Sequence, residues 1–322
     1  MELERITRIV QLNRCTTFLG PGGVGKTRCA IDVAARLAPS FRDGVGIVEF
    51  GDLHREADGV TAEVMRRIVD EMNRHRTESP DRGHNALDGD LNMLLVLDNT
   101  EHLPSATIAA IREVLSSTWK VHILATSRRR LSQRLGTNID IKPLRCTPLP
   151  GETLSETPAV QLILRNISSE RHADSDLGRH LSAVAELCRR VGAIPRYLEF
   201  IAERISALPV RSLLSDEKSL WLLRSDDHAL LSHQRSIADS ILWSLSLLTE
   251  EHCRLVRALA EHAAQTFDLS DLESTAVDVE GRLVLLSDLL EDGLALGDTS
   301  GRSQFRLAPF VAEVVRERVH PQ

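Results

Sequence analysis

Residues 20–27 read Gly-Pro-Gly-Gly-Val-Gly-Lys-Thr, residue types at the spacing of a loop that cradles phosphate. Glycine at 20, 22, 23 and 25 lets successive backbone N–H groups turn inward, in conformations that a Cβ disfavours. Pro21 and Val24 complete the loop, and Arg28 follows it in the first turn of the next segment. Lys26 supplies a point charge for the β- and γ-phosphates, and the Thr27 hydroxyl is placed to ligate Mg²⁺. An extended apolar run, Cys15–Leu19, leads into the loop, and an amphipathic run from Thr27 to about Leu37 leaves it. A helix start there adds free N–H groups and the positive end of a dipole, so a nucleoside di- or triphosphate is the expected ligand.

Two further segments carry chemistry. Met93-Leu94-Leu95-Val96-Leu97-Asp98 is an apolar strand ending in one carboxylate, which would hold Mg²⁺ opposite Thr27. Asn99 beside it cannot accept a proton, and Glu101 is the nearby candidate for a base that orients water. Glu101 as a simple helix cap before Pro104 is an equal alternative. Hydrolysis is therefore expected to fall well below the enzyme median of about 10 per second. Val121–Thr126 is a third strand, ending in Thr126-Ser127-Arg128, where Arg128 could reach a γ-phosphate. Its neighbours Arg129, Arg130 and Arg134 read as a solvated face.

Positioning these groups requires alternating elements. Strands are expected at Cys15–Leu19, Val45–Phe50, Met93–Leu97, Val121–Thr126 and Ile139–Ile141. Helices are expected at Thr27–Leu37, Thr61–Arg74 and Ser105–Leu115. That order predicts a parallel sheet with helices on both faces and ligands at the carboxyl ends of its strands. Arg76–Asp90 has no periodicity and reads as a surface loop. Farther on, Ala159–Ser169, Leu177–Val191 and Tyr197–Leu208 predict a small helical bundle closed by Pro209, with a linker from Asp226 to Arg235. Helices at Ile237–Leu248 and Glu251–Ala264 precede a hairpin pattern, Leu294–Leu296 and Gln304–Leu307 around Asp298–Arg302. Helices followed by a hairpin read as a winged-helix domain. Trp221 and Trp243 read as core anchors.

The 322 residues are enough for two or three domains. Residues 1–150 carry 21 Lys and Arg against 19 Asp and Glu, whereas residues 151–322 carry 18 against 27. An acidic second half fits DNA poorly, so direct DNA binding is not expected of this chain. No apolar run is long enough to span a membrane, and five scattered cysteines read as reduced thiols of a cytoplasmic protein. The twelve histidines show no metal-ligand spacing.

Taken together, these segments resemble the STAND class of signal-transduction NTPases, relatives of the NB-ARC or AP-ATPases. The nearest likeness is to bacterial regulators of the AfsR and large LuxR types. The resemblance rests on Gly20–Thr27, on Leu94–Leu103, and on Leu124-Ala125-Thr126-Ser127-Arg128, which is similar to that class's sensor arginine segment. It also rests on Cys188–Pro195, similar to its Gly-x-Pro region, and on Trp243–Leu248, similar to the opening helix of its winged-helix domain. The resemblance implies a P-loop NTPase domain at 1–147, a helical domain at 148–228 and a winged-helix domain at 229–322. It implies ATP or ADP with Mg²⁺, Pro195 packed beside adenine and ribose, and a nucleotide switch serving transcription regulation. Partners would be other domains of a larger regulator, or further copies of the chain on activation.

Three departures stand out. Ala193-Ile194-Pro195-Arg196 replaces the usual Gly-Leu-Pro-Leu. Arg306-Leu307-Ala308-Pro309 occupies the stretch where a sensing His or acid is usual. The base-clasping segment before the first helix is not found, as in an excised fragment or a protein that retains nucleotide weakly. Competing readings are a scaffold with ADP as a structural ligand, a small-molecule P-loop kinase, and an antiphage STAND sensor. A kinase needs an Arg-rich lid, and residues 76–90 offer only Arg76 and Arg82.

Overall fold

Every strand of the amino-terminal sheet runs the same way, and the cause lies in its apolar runs, which can be buried on both faces only beneath helices. The computed structural model describes residues 2–53, 59–75, 90–132, 134–167, 180–205, 208–215, 220, 224, 235–261, 266–268, 279–297 and 304–318. The expected loop is described only at Asp90; Trp221 and the stretch 226–234 lie outside the described residues. By internal contacts the chain divides into two units. One comprises Met1–Gly20 with Gly25–Ile141, the other Pro21–Val24 with Lys142–Gln322.

In the first unit, β1 (Cys15–Leu19), β2 (Val45–Glu49), β3 (Leu94–Asp98), β4 (His122–Ser127) and β5 (Thr137–Asp140) lie in the order β2-β3-β4-β1-β5. All four pairings are parallel. The side chains of β3 alternate between two cores. Leu94 and Val96 join Phe18 of β1 and the helices α1 (Glu2–Leu12) and α2 (Lys26–Leu37), through Ile6, Val10, Ala30 and Val33. Leu95 and Leu97 join α3 (Val60–Arg74) and α4 (Pro104–Ser117), through Val64, Ile68, Met72, Ile111 and Val114. Val64, Ile68 and Met72 recur every four residues and are fully buried, each contributing about 1.5–3 kcal/mol. The parallel sheet flanked by helices matches the sequence reading. β1 coincides with its expected bounds, and the other strands shift by one or two residues at either end.

β2 is a rim strand, and its exposed side is closed locally. Gly46 leaves room for the Glu71 side chain, whose Cγ would stand 2.7 Å from an added Cβ. Glu71 thus reaches the rim and accepts the Ile47 N–H at 3.1 Å, while Arg74 pairs with it at 2.6 Å.

In the second unit α5 (Pro158–Asn166), α6 (Leu181–Arg190), α7 (Pro195–Ile205) and α8 (Val210–Ser215) pack through Val160, Ile163, Leu187, Leu198 and Ile201. Pro158 and Pro195 stand at first helical positions, where the missing N–H costs nothing. Pro209 does not close the bundle as expected, because α8 starts directly after it. Next come α9 (Ile237–Ser246), α10 (Glu250–Glu261), α11 (Val279–Glu291), the antiparallel pair β6 (Ala295–Gly297) and β7 (Phe305–Leu307), and α12 (Val311–Arg318). Ser236 caps α9 by accepting the Asp239 N–H at 2.9 Å. Acidic residues of this region are partly internal: Asp292 is buried, and Asp288 meets His252 Nε2 at 2.9 Å. Asp271, Glu273 and Asp278 lie outside the described residues. Trp243 is half-buried.

Candidate functional site

The loop after β1 turns where glycine permits it. Gly23 and Gly25 adopt φ of 75° and 100°, left-handed values that carry a cost for residues with a Cβ. A Cβ at Gly25 would meet nothing within 4 Å, so the requirement there is purely conformational. Gly25 also opens α2, since the Cys29 N–H bonds its carbonyl at 2.9 Å. Lys26 is buried and its Nζ donates to the Gly20 carbonyl at 2.8 Å, folding the ammonium over the loop. Thr27 and Arg28 are exposed on the first turn.

Asp98 ends β3, buried and bonded from several sides. The Thr27 hydroxyl lies 2.9 and 3.0 Å from its two oxygens, and Asn99 Nδ2 reaches it at 3.3 Å. Thr126, at the end of β4, donates its hydroxyl to Asp98 and accepts the Asn99 N–H at 3.1 Å. The sequence marked Thr126 only as a hydroxyl at a strand tip. Its contact with Asp98 depends on β4 lying between β1 and β3, which spacing along the chain does not encode. Asn99 turns the chain with φ of 60°, and Thr100 Oγ1 ties that turn back to the Thr126 carbonyl at 2.8 Å.

Glu101 follows in the same turn, ahead of α4, whose N-cap residue Leu103 supplies no side-chain cap. It accepts from Arg128 Nε at 3.1 Å, and each side chain is 6% exposed. Four charged groups therefore converge: Lys26, Asp98, Glu101 and Arg128. Burial pushes the Lys26 ammonium down to about 8, opposed first by Glu101 and then by Asp98, with Arg128 adding to the fall.

Thr27 and Asp98 offer hard oxygen donors within hydrogen-bond reach of each other, the donor chemistry that Mg²⁺ takes. Among the described residues no group of three His, Cys, Asp or Glu could hold a metal; Thr27 and Asp98 bring one hydroxyl and one carboxylate together. Mg²⁺ bound there would neutralise charge developing on phosphate oxygens.

The second unit carries the remaining residues. Pro195 starts α7 after Gly192 and Ala193, both at positive φ, and the Arg196 N–H donates to the Gly23 carbonyl at 3.2 Å. A cleft enclosing about 360 Å³, part of it open to solvent, is lined by Pro21, Gly22, Tyr197, Ser244, Asp292 and Ala308, among others. Ala308 brings no polar atom of its side chain to that cleft.

A glycine loop between β1 and α2, a buried lysine, and a Thr–Asp pair at the carboxyl edge of a parallel sheet define an α/β domain of P-loop ATPase type. Comparison with known proteins agrees on the fold. The ORC2 protein of Aeropyrum pernix, solved in ADPNP and ADP complexes, superposes with a TM-score of 0.50 at 15% identity, over 98% of this chain and 92% of that one. A Mycobacterium tuberculosis protein, whose name makes it a candidate HTH-type transcriptional regulator, is 31% identical over 316 residues, 95% of this chain and 34% of the relative. The chain thus spans about a third of the length of that relative. A second protein of the same organism, named only as uncharacterized, is 25% identical over 334 residues, 99% of this chain and 79% of its own. No family model matches the chain. Among the described residues no helix is long and apolar enough to cross a membrane.

Proposed function

We propose that this chain is the ATP- and ADP-binding switch module of a bacterial signal-transduction or transcriptional regulator, with slow hydrolysis serving the switch. The observation that carries the reading is the Thr27–Asp98 pair beside the buried Lys26, at the mouth of a glycine loop. Backbone N–H groups and Lys26 would hold the phosphates, and Arg128 would distinguish three phosphates from two. The helical region at 148–228 and a winged-helix region at 229–322 would change their packing with nucleotide state. The acidic second half favours packing within the regulator, or between copies, over direct contact with DNA. The charge and cysteine pattern fits the cytoplasm.

Magnitudes support a switch without fast chemistry. Moving a population from about 1:99 to 99:1 takes roughly 5.5 kcal/mol of differential affinity. Charge-assisted hydrogen bonds contribute about 1.5–3 kcal/mol each, so two or three contacts made only to a γ-phosphate suffice. The test is to identify nucleotide released from heat-denatured protein, then record solution scattering with ADP and with a non-hydrolysable ATP analogue. Retained adenine nucleotide and a change in radius of gyration are expected. Identical profiles in the two states would remove the switch. They would leave a scaffold with ADP as a structural ligand, a reading that Ala308 at the cleft also favours.

A further inference from the structure

Gripping phosphate does not by itself require the second charged pair of the site. Arg128 and Glu101 come from different strands' carboxyl ends, are buried to 6% exposure each, and meet at 3.1 Å. The two loops that carry them are fastened together by Thr100 Oγ1 on the Thr126 carbonyl at 2.8 Å and by the Asn99 N–H on Thr126 Oγ1 at 3.1 Å. The left-handed Asn99 makes the turn that brings Glu101 around toward Arg128. Lys26 feels both charges, so the pair sits beside the ammonium of the phosphate loop. In this buried setting water competes weakly for either partner.

We propose that Arg128 and Glu101 form a latch on hydrolysis that opens only to a terminal phosphate; the proposal rests on the phosphate-cradle reading above. A carboxylate held by a guanidinium is not offered to water. With a nucleoside diphosphate in the cradle, Arg128 keeps Glu101. With a triphosphate, Arg128 exchanges the carboxylate for terminal phosphoryl oxygens, one charge-assisted bond for another. Glu101 is then free to take a proton from the attacking water. The water oxygen bonds to the terminal phosphorus, the bond from phosphorus to the bridging oxygen breaks, and that electron pair stays on the departing diphosphate. The proton held by Glu101 passes to the released phosphate, after which Arg128 returns to the carboxylate. Arg128 is thus a positioning residue for Glu101 as well as a contact for the third phosphate.

The latch makes a claim about binding that a simple base does not. Glu101→Gln removes the group that takes the proton of the attacking water, so it should slow single-turnover hydrolysis, and it removes the charge that competes for Arg128. It should also raise affinity for Mg²⁺ with a non-hydrolysable ATP analogue by about tenfold relative to ADP, by loss of one charge-assisted competitor. Arg128→Gln should lower that ratio, and Glu101→Gln/Arg128→Gln should match Arg128→Gln alone because the two residues act as one unit. Glu101→Asp, which keeps the charge on a shorter arm, gives a second reading of the ratio if the glutamine variant folds poorly. Calorimetric titration of each protein with ADP and with the analogue provides the numbers. An unchanged ratio in Glu101→Gln and Glu101→Asp overturns the latch and leaves the cradle standing. Wild-type protein that binds neither nucleotide overturns the cradle itself.

Discussion

Replacing Thr126 by valine keeps shape and volume while removing one hydroxyl that serves two buried groups. That hydroxyl donates to the Asp98 carboxylate and accepts the Asn99 N–H at 3.1 Å. Losing a hydrogen bond to a charged group costs about 1.5–3 kcal/mol, and an orphaned buried N–H costs about 1–3 kcal/mol. The methyl gained in exchange returns less than about 1 kcal/mol. A net destabilisation of about 2–4 kcal/mol is therefore expected, read as a lower urea midpoint at unchanged slope. Thr126→Ser retains the hydroxyl and should stay within about 1 kcal/mol of wild type. Asp98 loses a fixed orientation in the valine variant, so the gain in ADP affinity on adding Mg²⁺ should shrink about tenfold, as for loss of an outer-shell partner. A valine variant within about 0.5 kcal/mol of wild type would refute the two-bond account. So would a serine variant as unstable as the valine one.

The Lys26 ammonium gives a pH signature. Its folded value of about 8 lies below the ordinary 10.5, so between those values the unfolded chain binds more protons and stability should rise with pH. The rise is at most about 3 kcal/mol, and Lys26→Met should flatten it; a wild-type curve flat from pH 8 to 10 would contradict the buried ammonium. Gly136 precedes β5 with φ of 150°, and a Cβ there would stand 2.2 Å from the Cys15 carbonyl oxygen. Gly136→Ala should therefore cost about 3 kcal/mol or more in thermal or urea unfolding, and an unaffected variant would show that the β1–β5 junction yields easily.

Local chemistry was legible in the sequence, and pairings across the sheet were not. The glycine loop, the apolar β3 ending in Asp98 and the segment ending in Arg128 each carry their meaning in consecutive residues. β1 could be bounded correctly because Arg14 and Gly20 flank a five-residue run that is buried throughout. Strand β5 begins two residues before the expected Ile139, because Thr137 and Asn138 are polar and join the sheet through pairing with Thr16 and Thr17. The bond from Thr126 to Asp98 and the Glu101–Arg128 pair span 28 and 27 residues of chain, and only strand order brings them together. The periodicity of the sequence sets no bounds for helix α11. The helix is apolar around much of its circumference, with Leu285, Leu286 and Leu289 buried but Leu283 and Val284 exposed, so no single face announces it. Pro209 carries an ambiguous signal, because a proline is as well suited to precede a helix as to follow one.

Glu71 bears on how copies of this domain could join. A sheet rim normally invites another strand through its outward N–H groups. On β2 the Ile47 donor already belongs to a buried carboxylate that Gly46 admits and Arg74 steadies. An incoming strand would have to displace that carboxylate and leave it without its donor. Growth of the sheet by lateral addition at this edge is thereby discouraged, and self-association, where it occurs, is steered to other surfaces.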